Sequence, residues 1–151
     1  DTKVALSLSD AFCVDRYRSE FLDLVRTHVD ILFGNETEIL SLYQTENLNE
    51  ATELVQDDCE IVAVTRDSRG SIVIENRRVF EIAAQKIDTV IDTTGAGDLY
   101  ASGFLYGMTR DMDIRQCGRL GGLAASSIIT QFGARPEESL MPLIDRVSAS
   151  N

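Results

Sequence analysis

The segment Gly95-Ala96-Gly97-Asp98 holds the residues of this sequence that are best suited to chemistry. It lies between a predicted short strand, residues 89–91, and a predicted amphipathic helix that starts near Gly97. Glycines permit positive φ and carry no Cβ, so several backbone N–H groups can converge there on an anion. The N-terminus of the helix adds about half a positive charge, which favours a phosphate. Asp98, in the first helical turn, could take a proton from a hydroxyl while this anion hole binds the phosphoryl group being transferred.

On spacing alone, a second interpretation of this segment stays open. Aspartate is a favoured helix N-cap, so Asp98 could cap the helix while the glycines only form a tight turn. The two common nucleotide-binding motifs do not apply. The sequence contains no G-x-x-x-x-G-K-S/T loop, and Tyr100 stands at the third glycine position of a dinucleotide fingerprint.

The elements that must position this segment alternate between short apolar strands and amphipathic helices. Buried strands are predicted at residues 4–8, 30–33, 61–64 and 89–91, and a hairpin at 71–74 and 79–82 with a turn at 75–78. Helices are predicted after a cap at Asp15, at 36–43, at 49–56, from near Gly97, at 113–129 and at 137–147. This alternation predicts an α/β fold with a mainly parallel sheet. No linker or repeat interrupts it, so one domain is expected over residues 1–151.

Composition narrows the classes of partner. The chain has 25 acidic and 14 basic residues and a net charge of −11, which disfavours binding to nucleic acid. No apolar run is long enough to span a membrane. Three scattered cysteines, Cys13, Cys59 and Cys117, favour neither a disulfide scaffold nor a zinc site. The sequence begins at Asp1, and we expect a trimmed chain from a cytoplasmic protein.

Four segments in chain order carry a resemblance to a known family. They are 29–38, ending in the N-x-x-E pattern Asn35-Glu36-Thr37-Glu38; 64–70, similar to a T-x-G-x-x-G loop; 92–98, similar to D-T-x-G-A-G-D; and 124–134, a helix and its following loop. Together they resemble the ribokinase-like (PfkB) carbohydrate and nucleoside kinases. The first and last segments are most similar to adenosine kinases within that family.

The resemblance implies a three-layer α/β/α fold with a mainly parallel sheet, of which this chain is the C-terminal part. It implies ATP-dependent phosphorylation of a hydroxymethyl group on a nucleoside, such as adenosine, or on a sugar. Asp98 would be the catalytic base, and the amides of Gly95, Ala96 and Gly97 would form the anion hole. The residues implied to contact the nucleotide are Asn35, Thr65, Gly70, Gly97, Gly122 and Ala125, the last two against the adenine.

The resemblance also implies metal ions. Asn35 and Glu38 would organise Mg²⁺ through its waters, although the residues alone favour a strand-end turn followed by a helix-start acid. Some family members hold a monovalent cation such as K⁺. The ligands implied for it here are Asp92, Thr94 and the backbone carbonyls near Ile128, Gln131 and Gly133.

Two departures from the family pattern qualify these expectations. Asp67 stands where the nucleotide loop has its first glycine. Kinases of this family are about twice as long, and their first half carries most acceptor-binding residues. We therefore expect the parent protein to be a kinase, with a homodimeric full-length form, and the isolated chain to be inactive. The alternatives are a non-catalytic nucleotide-binding or interaction module, which the presence of Asp98 disfavours, and a generic α/β structural domain.

Overall fold

The computed structural model describes residues 2–148, with the side chain of Ser148 excepted. Five strands and seven α-helices follow one another along this part of the chain. Their bounds are β1 Ala5–Ser7, α1 Ala11–Arg16, α2 Arg18–Thr27, β2 Ile31–Asn35, α3 Glu36–Tyr43, α4 Leu48–Asp58, β3 Ile61–Thr65, β4 Ser71–Glu75, β5 Arg78–Ile82, α5 Ala96–Met108, α6 Ile114–Ile128 and α7 Pro142–Ser148. No helix within residues 2–148 has the length and apolar character that crossing a membrane requires.

The five strands form one sheet in the order β1-β2-β3-β4-β5. β1, β2 and β3 are parallel, with Ala5 opposite Ile31 and Ile31 opposite Ile61. β4 and β5 form the predicted hairpin, whose two turn residues, Asn76 and Arg77, both have positive φ, as a tight hairpin turn requires. The predicted α/β fold with a mainly parallel sheet is confirmed.

The chain divides into two compact units, which are described separately. The first, residues 2–66 and 72–81, contains α1–α4 and the strands of the sheet, except the first residue of β4, Ser71, and the last of β5, Ile82. Its core is formed by the apolar runs of β2 and β3, buried along almost their whole length, and by apolar residues of the surrounding helices. Such continuous apolar runs are typical of parallel strands that are covered on both faces.

The second unit, residues 67–71 and 82–151, is built on α5 and α6. Glycines let the two helices approach closely: a Cβ on Gly103 would lie 2.8 Å from the carbonyl oxygen of Leu120, and one on Gly121 would lie 2.8 Å from that of Tyr100. We call this close contact of α5 and α6 at Gly103 and Gly121 the glycine seam. The residues of α5 that are buried are Tyr100, Gly103, Phe104 and Gly107. Ala101, Leu105 and Met108 on the same helix are half-buried.

Three sequence predictions of secondary structure are wrong for identifiable reasons. Residues 89–91 form no strand: Val90 is 54% exposed, and the Ile91 amide donates to the carbonyl of Ile129 at the end of α6, not to a neighbouring strand. The helix predicted after Asp15 is α2, but its N-cap is Tyr17, with no side-chain cap, and Asp15 lies inside α1. Asp10 caps α1, since its extended backbone lets the side chain accept from the Cys13 amide at 3.0 Å. The last helix begins at Pro142 instead of residue 137, and proline is well suited to the first helical position.

The first predicted strand differs in its burial. β1 is shorter than residues 4–8, and both Ala5 and Ser7 are exposed because the strand lies at the edge of the described sheet. The helix predicted at 36–43 is confirmed as α3, and those at 49–56 and 113–129 are confirmed to within two residues at each end as α4 and α6.

Candidate active site

The N-terminus of α5 is open to an incoming anion. Gly95 is its N-cap, with φ of 81°, and no side chain caps the helix. A Cβ on Gly95 would lie 2.8 Å from the Cβ of Ala134, so both backbone angle and space require glycine. The amide of Ala96 donates to the Thr93 carbonyl, whereas those of Gly97 and Asp98 have no acceptor within residues 2–148. A Cβ on Gly97 would meet nothing within 4 Å.

Asp98 is the third residue of α5, and its side chain is exposed. No side chain or amide of the described residues donates to its carboxylate. Since Gly95 is the N-cap, helix capping does not explain this aspartate. A carboxylate beside unpaired helix amides can accept a proton from a neutral group while the amides bind a phosphoryl group.

The Asp92 side chain connects the glycine turn to the loop after α6. One carboxylate oxygen accepts from the Thr94 amide and the other from the Gly133 amide, each at 2.9 Å. Hydrogen bonds from Thr94 and Gly133 hold the pKa of Asp92 below its ordinary value. Asp92, Thr94 and Gly133, three of the implied cation ligands, are thereby brought together.

Residues 128 and 131, the other two implied cation ligands, also form local hydrogen bonds, which leave the Gln131 carbonyl and one lone pair of the Ile128 carbonyl available. The Ile128 carbonyl accepts from the Gln131 amide at 3.2 Å, and the Gln131 side chain donates to the Arg135 carbonyl. A carboxylate has about four lone-pair sites, so Asp92 keeps acceptor capacity beyond its two amide partners. The donor set is compatible with a monovalent cation.

In the first unit, Asn35, Glu38 and Thr65 lie together at the carboxyl ends of β2 and β3. The register pairs Asn35 with Thr65. Asn35 and Glu38 form a capping box: the Asn35 side chain accepts from the Glu38 amide at 2.9 Å, and Glu38 Oε2 accepts from the Asn35 amide at 2.8 Å. The carboxyl ends of parallel strands are the usual location of ligand sites in α/β sheets.

Glu38 is a buried carboxyl group with restricted freedom. It is 6% exposed, and burial raises its pKa above the ordinary value, against the effect of the Asn35 amide. Its second oxygen accepts from the Asn35 side-chain amide at 2.8 Å. Among the described residues, no cluster of three His, Cys, Asp or Glu could hold a metal alone. Asn35 and Glu38 thus hold each other in place, and the remaining lone pairs of their oxygens are the acceptors available to metal-bound water.

The loop after β3 ends at a glycine that no other residue could replace without a shift of backbone. Gly70 has φ of 81°, and a Cβ there would overlap the carbonyl oxygen of Ile82. Asp67, at the position of the missing glycine, has φ of 50° and an exposed side chain. Aspartate tolerates this left-handed conformation better than most residues, so the backbone of the loop is preserved.

On α6, neighbouring glycines have different surroundings. Gly121 packs against Tyr100, whereas a Cβ on Gly122 would meet nothing within 4 Å. Ala125, one turn later, is half-buried. A groove of about 460 Å³ follows the adjacent face of α6 through Leu123 and Ser126, and neither Gly122 nor Ala125 lines it.

Sequence reasoning missed one buried polar contact at this site. The hydroxyls of Ser71 and Tyr100 lie 2.8 Å apart in the interior of the second unit. In the sequence, Ser71 is a polar residue of a predicted strand and Tyr100 lies in a predicted helix. They are 29 residues apart, and no pattern or spacing indicates a contact between them.

Comparisons with known proteins show which chains this sequence and fold are similar to. The profile of the pfkB family carbohydrate kinases matches residues 1–140. An uncharacterized sugar kinase of Archaeoglobus fulgidus is 36% identical over 115 residues, which is 76% of this chain and 45% of that protein.

Two solved structures are similar over almost the whole chain. A probable sugar kinase from Rhizobium etli is 48% identical, with a TM-score of 0.93 over 97% of this chain and 44% of that one. An adenosine kinase from Sinorhizobium meliloti is 47% identical, with a TM-score of 0.92 over 95% and 44%. The chain thus spans less than half the length of these relatives. The resemblance seen in the four motifs is confirmed, and the chain belongs to the pfkB family of carbohydrate kinases.

Proposed function

We propose that the parent protein of this chain transfers the γ-phosphoryl group of ATP to a hydroxymethyl group of a nucleoside, such as adenosine, or of a sugar. The observation that carries the proposal is the open N-terminus of α5. Within residues 2–148, the amides of Gly97 and Asp98 and the Asp98 carboxylate have no hydrogen-bond partner. The similarity to proteins named as sugar, cytidine and nucleoside kinases supports the same class of reaction.

In the proposed reaction, the Asp98 carboxylate accepts the proton of the acceptor hydroxyl. The hydroxyl oxygen then forms a bond to the γ-phosphorus of ATP, and the bond from that phosphorus to the bridging oxygen breaks, so ADP leaves with the electron pair. The predicted anion hole of Gly95, Ala96 and Gly97 is assigned to the phosphoryl oxygens, where charge accumulates. The Gly97 amide is open to them, whereas the Ala96 amide would first have to release the Thr93 carbonyl. Thr65 and Gly70 are assigned to the nucleotide, and Gly122 and Ala125 to its adenine.

Two ions belong to the proposal. Mg²⁺ would neutralise phosphate charge, and Asn35 and Glu38 would hold it through water. A monovalent cation such as K⁺ would bind to Asp92, Thr94 and the carbonyls of Ile128, Gln131 and Gly133, next to the anion hole. A homodimeric parent protein and a cytoplasmic location stay predictions.

The experiment that tests the proposal uses the full-length parent protein and a panel of nucleosides and sugars. We expect Asp98→Asn to keep the Kd of ATP within a few-fold and to lower kcat by at least ~100-fold, the usual scale for loss of a general base. Asp15→Asn, an exposed aspartate on α1, is the matched control and should leave kcat unchanged. Near-normal turnover by Asp98→Asn would overturn the assignment. ATP binding without transfer to any acceptor in the panel would favour a non-catalytic nucleotide-binding module.

A further inference from the structure

The contact between Ser71 and Tyr100 is a hydrogen bond between two buried side chains. The exposed fraction is 2% for Ser71 and 3% for Tyr100, and their hydroxyl oxygens lie 2.8 Å apart, with either one able to donate. Burial raises the pKa of Tyr100 to about 12, so its hydroxyl stays protonated at neutral pH. A phenylalanine and an alanine would fill the same space without polar atoms to desolvate.

The hydrogen bond between Ser71 and Tyr100 adds little to the free energy of unfolding. A hydrogen bond between two neutral groups adds only about 0.5–1.5 kcal/mol net, because both groups also bond to water in the unfolded chain. Replacing both partners by apolar groups of similar shape is often close to neutral. What a buried polar pair provides in addition is one defined arrangement of the two elements that carry it.

Those two elements both lead into the candidate site. Ser71 directly follows Gly70, the last residue of the loop assigned to the nucleotide, and Gly70 is held against the backbone of Ile82. Tyr100 is two residues beyond Asp98, in the first part of α5. The hydrogen bond therefore sets the distance between the end of the nucleotide loop and the N-terminus of the helix that carries the base.

The aromatic ring of Tyr100 has little freedom to move. A Cβ on Gly121 would lie 3.2 Å from two adjacent ring carbons, so one side of the ring packs closely against α6 at Gly121. On its own helix it stacks with Phe104, at 6.3 Å between ring centroids. Because the ring is fixed, the Tyr100 hydroxyl is also fixed. Ser71 can keep its hydrogen bond only if the start of β4 stays close to α5.

We propose that Tyr100 is a positioning residue for ATP: through Ser71 it holds the nucleotide loop at the distance from α5 that the bound triphosphate requires. This rests on the proposed function. Tyr100 acts on nucleotide affinity and has no part in proton transfer, so its removal should change the KM of ATP and leave kcat at saturating ATP within about two-fold.

The test compares Ser71→Ala, Tyr100→Phe and the double variant in the full-length protein. Each single variant leaves one buried hydroxyl without its partner and should lower the urea midpoint, whereas the double variant should recover it. All three should raise the KM and the calorimetric Kd of ATP by about three- to tenfold, the scale of one hydrogen bond. Thr52→Val is the matched control: it removes another buried hydroxyl, which donates to the Asn49 carbonyl in α4, and should not change the KM of ATP.

The double variant separates positioning from stability. A recovered urea midpoint with a KM of ATP that stays raised supports the proposal. A KM that returns to the parent value together with the midpoint, or an unchanged KM in all variants, overturns it. If the parent protein phosphorylates no nucleoside or sugar, the proposed function fails, and the Kd of ATP alone decides the role of Tyr100. A parent protein that does not bind ATP overturns both.

Discussion

The carboxylate of Asp92 accepts a hydrogen bond from the amide of Gly133, 41 residues later in the chain and 2.9 Å away. Its other oxygen accepts from the Thr94 amide. A single side chain therefore fastens the loop after α6 to the glycine turn before α5. The next residue of that loop, Ala134, is the one whose Cβ leaves room only for glycine at position 95.

We expect Asp92→Asn to lower the thermal midpoint, because the NH₂ group of asparagine replaces one of the two acceptor oxygens and leaves one backbone donor without its partner. The pKa of Asp92 is lowered in the folded state, so its stabilising effect is fully present above the unfolded value and is lost as pH falls through the folded value. The difference in midpoint between the parent and the variant should be constant at neutral pH and should narrow below about pH 4. Thermal unfolding from pH 3 to 7 measures it, with Asp145→Asn as an exposed control. A difference in thermal midpoint that persists unchanged to pH 3 would argue that the ionised Asp92 carboxylate does not stabilise the fold through the Thr94 and Gly133 amides.

Glu38→Gln tests the magnesium assignment. A neutral amide orients metal-bound water less well than a carboxylate, so we expect the Mg²⁺ concentration for half-maximal activity to rise several-fold. The thermal midpoint of the same variant measures how much stability is lost when the hydrogen bonds between Glu38 and Asn35 are weakened. Glu46→Gln, at an exposed loop position, is the control. An unchanged Mg²⁺ titration would leave Glu38 with the capping box as its only role.

Gly95→Ala and Gly97→Ala should separate folding from phosphate binding at one turn. Gly95→Ala should cost more than about 1 kcal/mol of unfolding free energy, because the backbone angle and Ala134 both oppose a side chain. Gly97→Ala should leave the unfolding free energy unchanged or slightly higher, since its space is empty and alanine favours helix. Its methyl group would nevertheless lie among the amides assigned to phosphate, so turnover should fall. Urea unfolding and a kinase assay check both. Full turnover by Gly97→Ala would contradict the anion hole.

A second glycine pair, on α6, tests the adenine assignment. Gly121→Ala should destabilise the fold, because the new methyl group would approach the carbonyl oxygen of Tyr100 to 2.8 Å. Gly122→Ala should fold normally and raise the KM of ATP, because the open space at residue 122 is assigned to the adenine ring of ATP. Steady-state kinetics and urea unfolding on both variants measure this. An unchanged KM of ATP in Gly122→Ala would remove adenine from this face of the helix.

The 151-residue chain made alone should show no kinase activity on any nucleoside or sugar. It spans less than half of its relatives, and its assigned residues serve ATP, metal and proton transfer but not the acceptor. Loss of acceptor positioning can remove ~7–11 kcal/mol of catalytic advantage, which would put the reaction below detection. The exposed edge of β1 should also promote association, visible by size-exclusion chromatography. A monomer that phosphorylates adenosine at an ordinary rate would show that the acceptor site lies within this chain.

Local patterns were sufficient to predict the elements that carry the site. β2 and β3 are continuous apolar runs, and Asn35 with Glu38 three residues later is a standard start of a helix. Residues 89–91 have equally good strand composition, but a strand also needs a neighbour, and the neighbour is a property of the tertiary structure. The packing roles of neighbouring glycines also depend on the tertiary structure. Residues 121 and 122 are both glycine, and only Gly121 is a packing residue, because Tyr100 lies against it.

The glycine seam between α5 and α6 has a mechanical consequence. Where helices meet through long side chains, a small force on one is absorbed by rotamer changes at the interface. Gly103 and Gly121 replace those side chains with direct approach of backbone to backbone, which has no such slack. We therefore expect α5 and α6 to shift together when an anion binds at the first turn of α5.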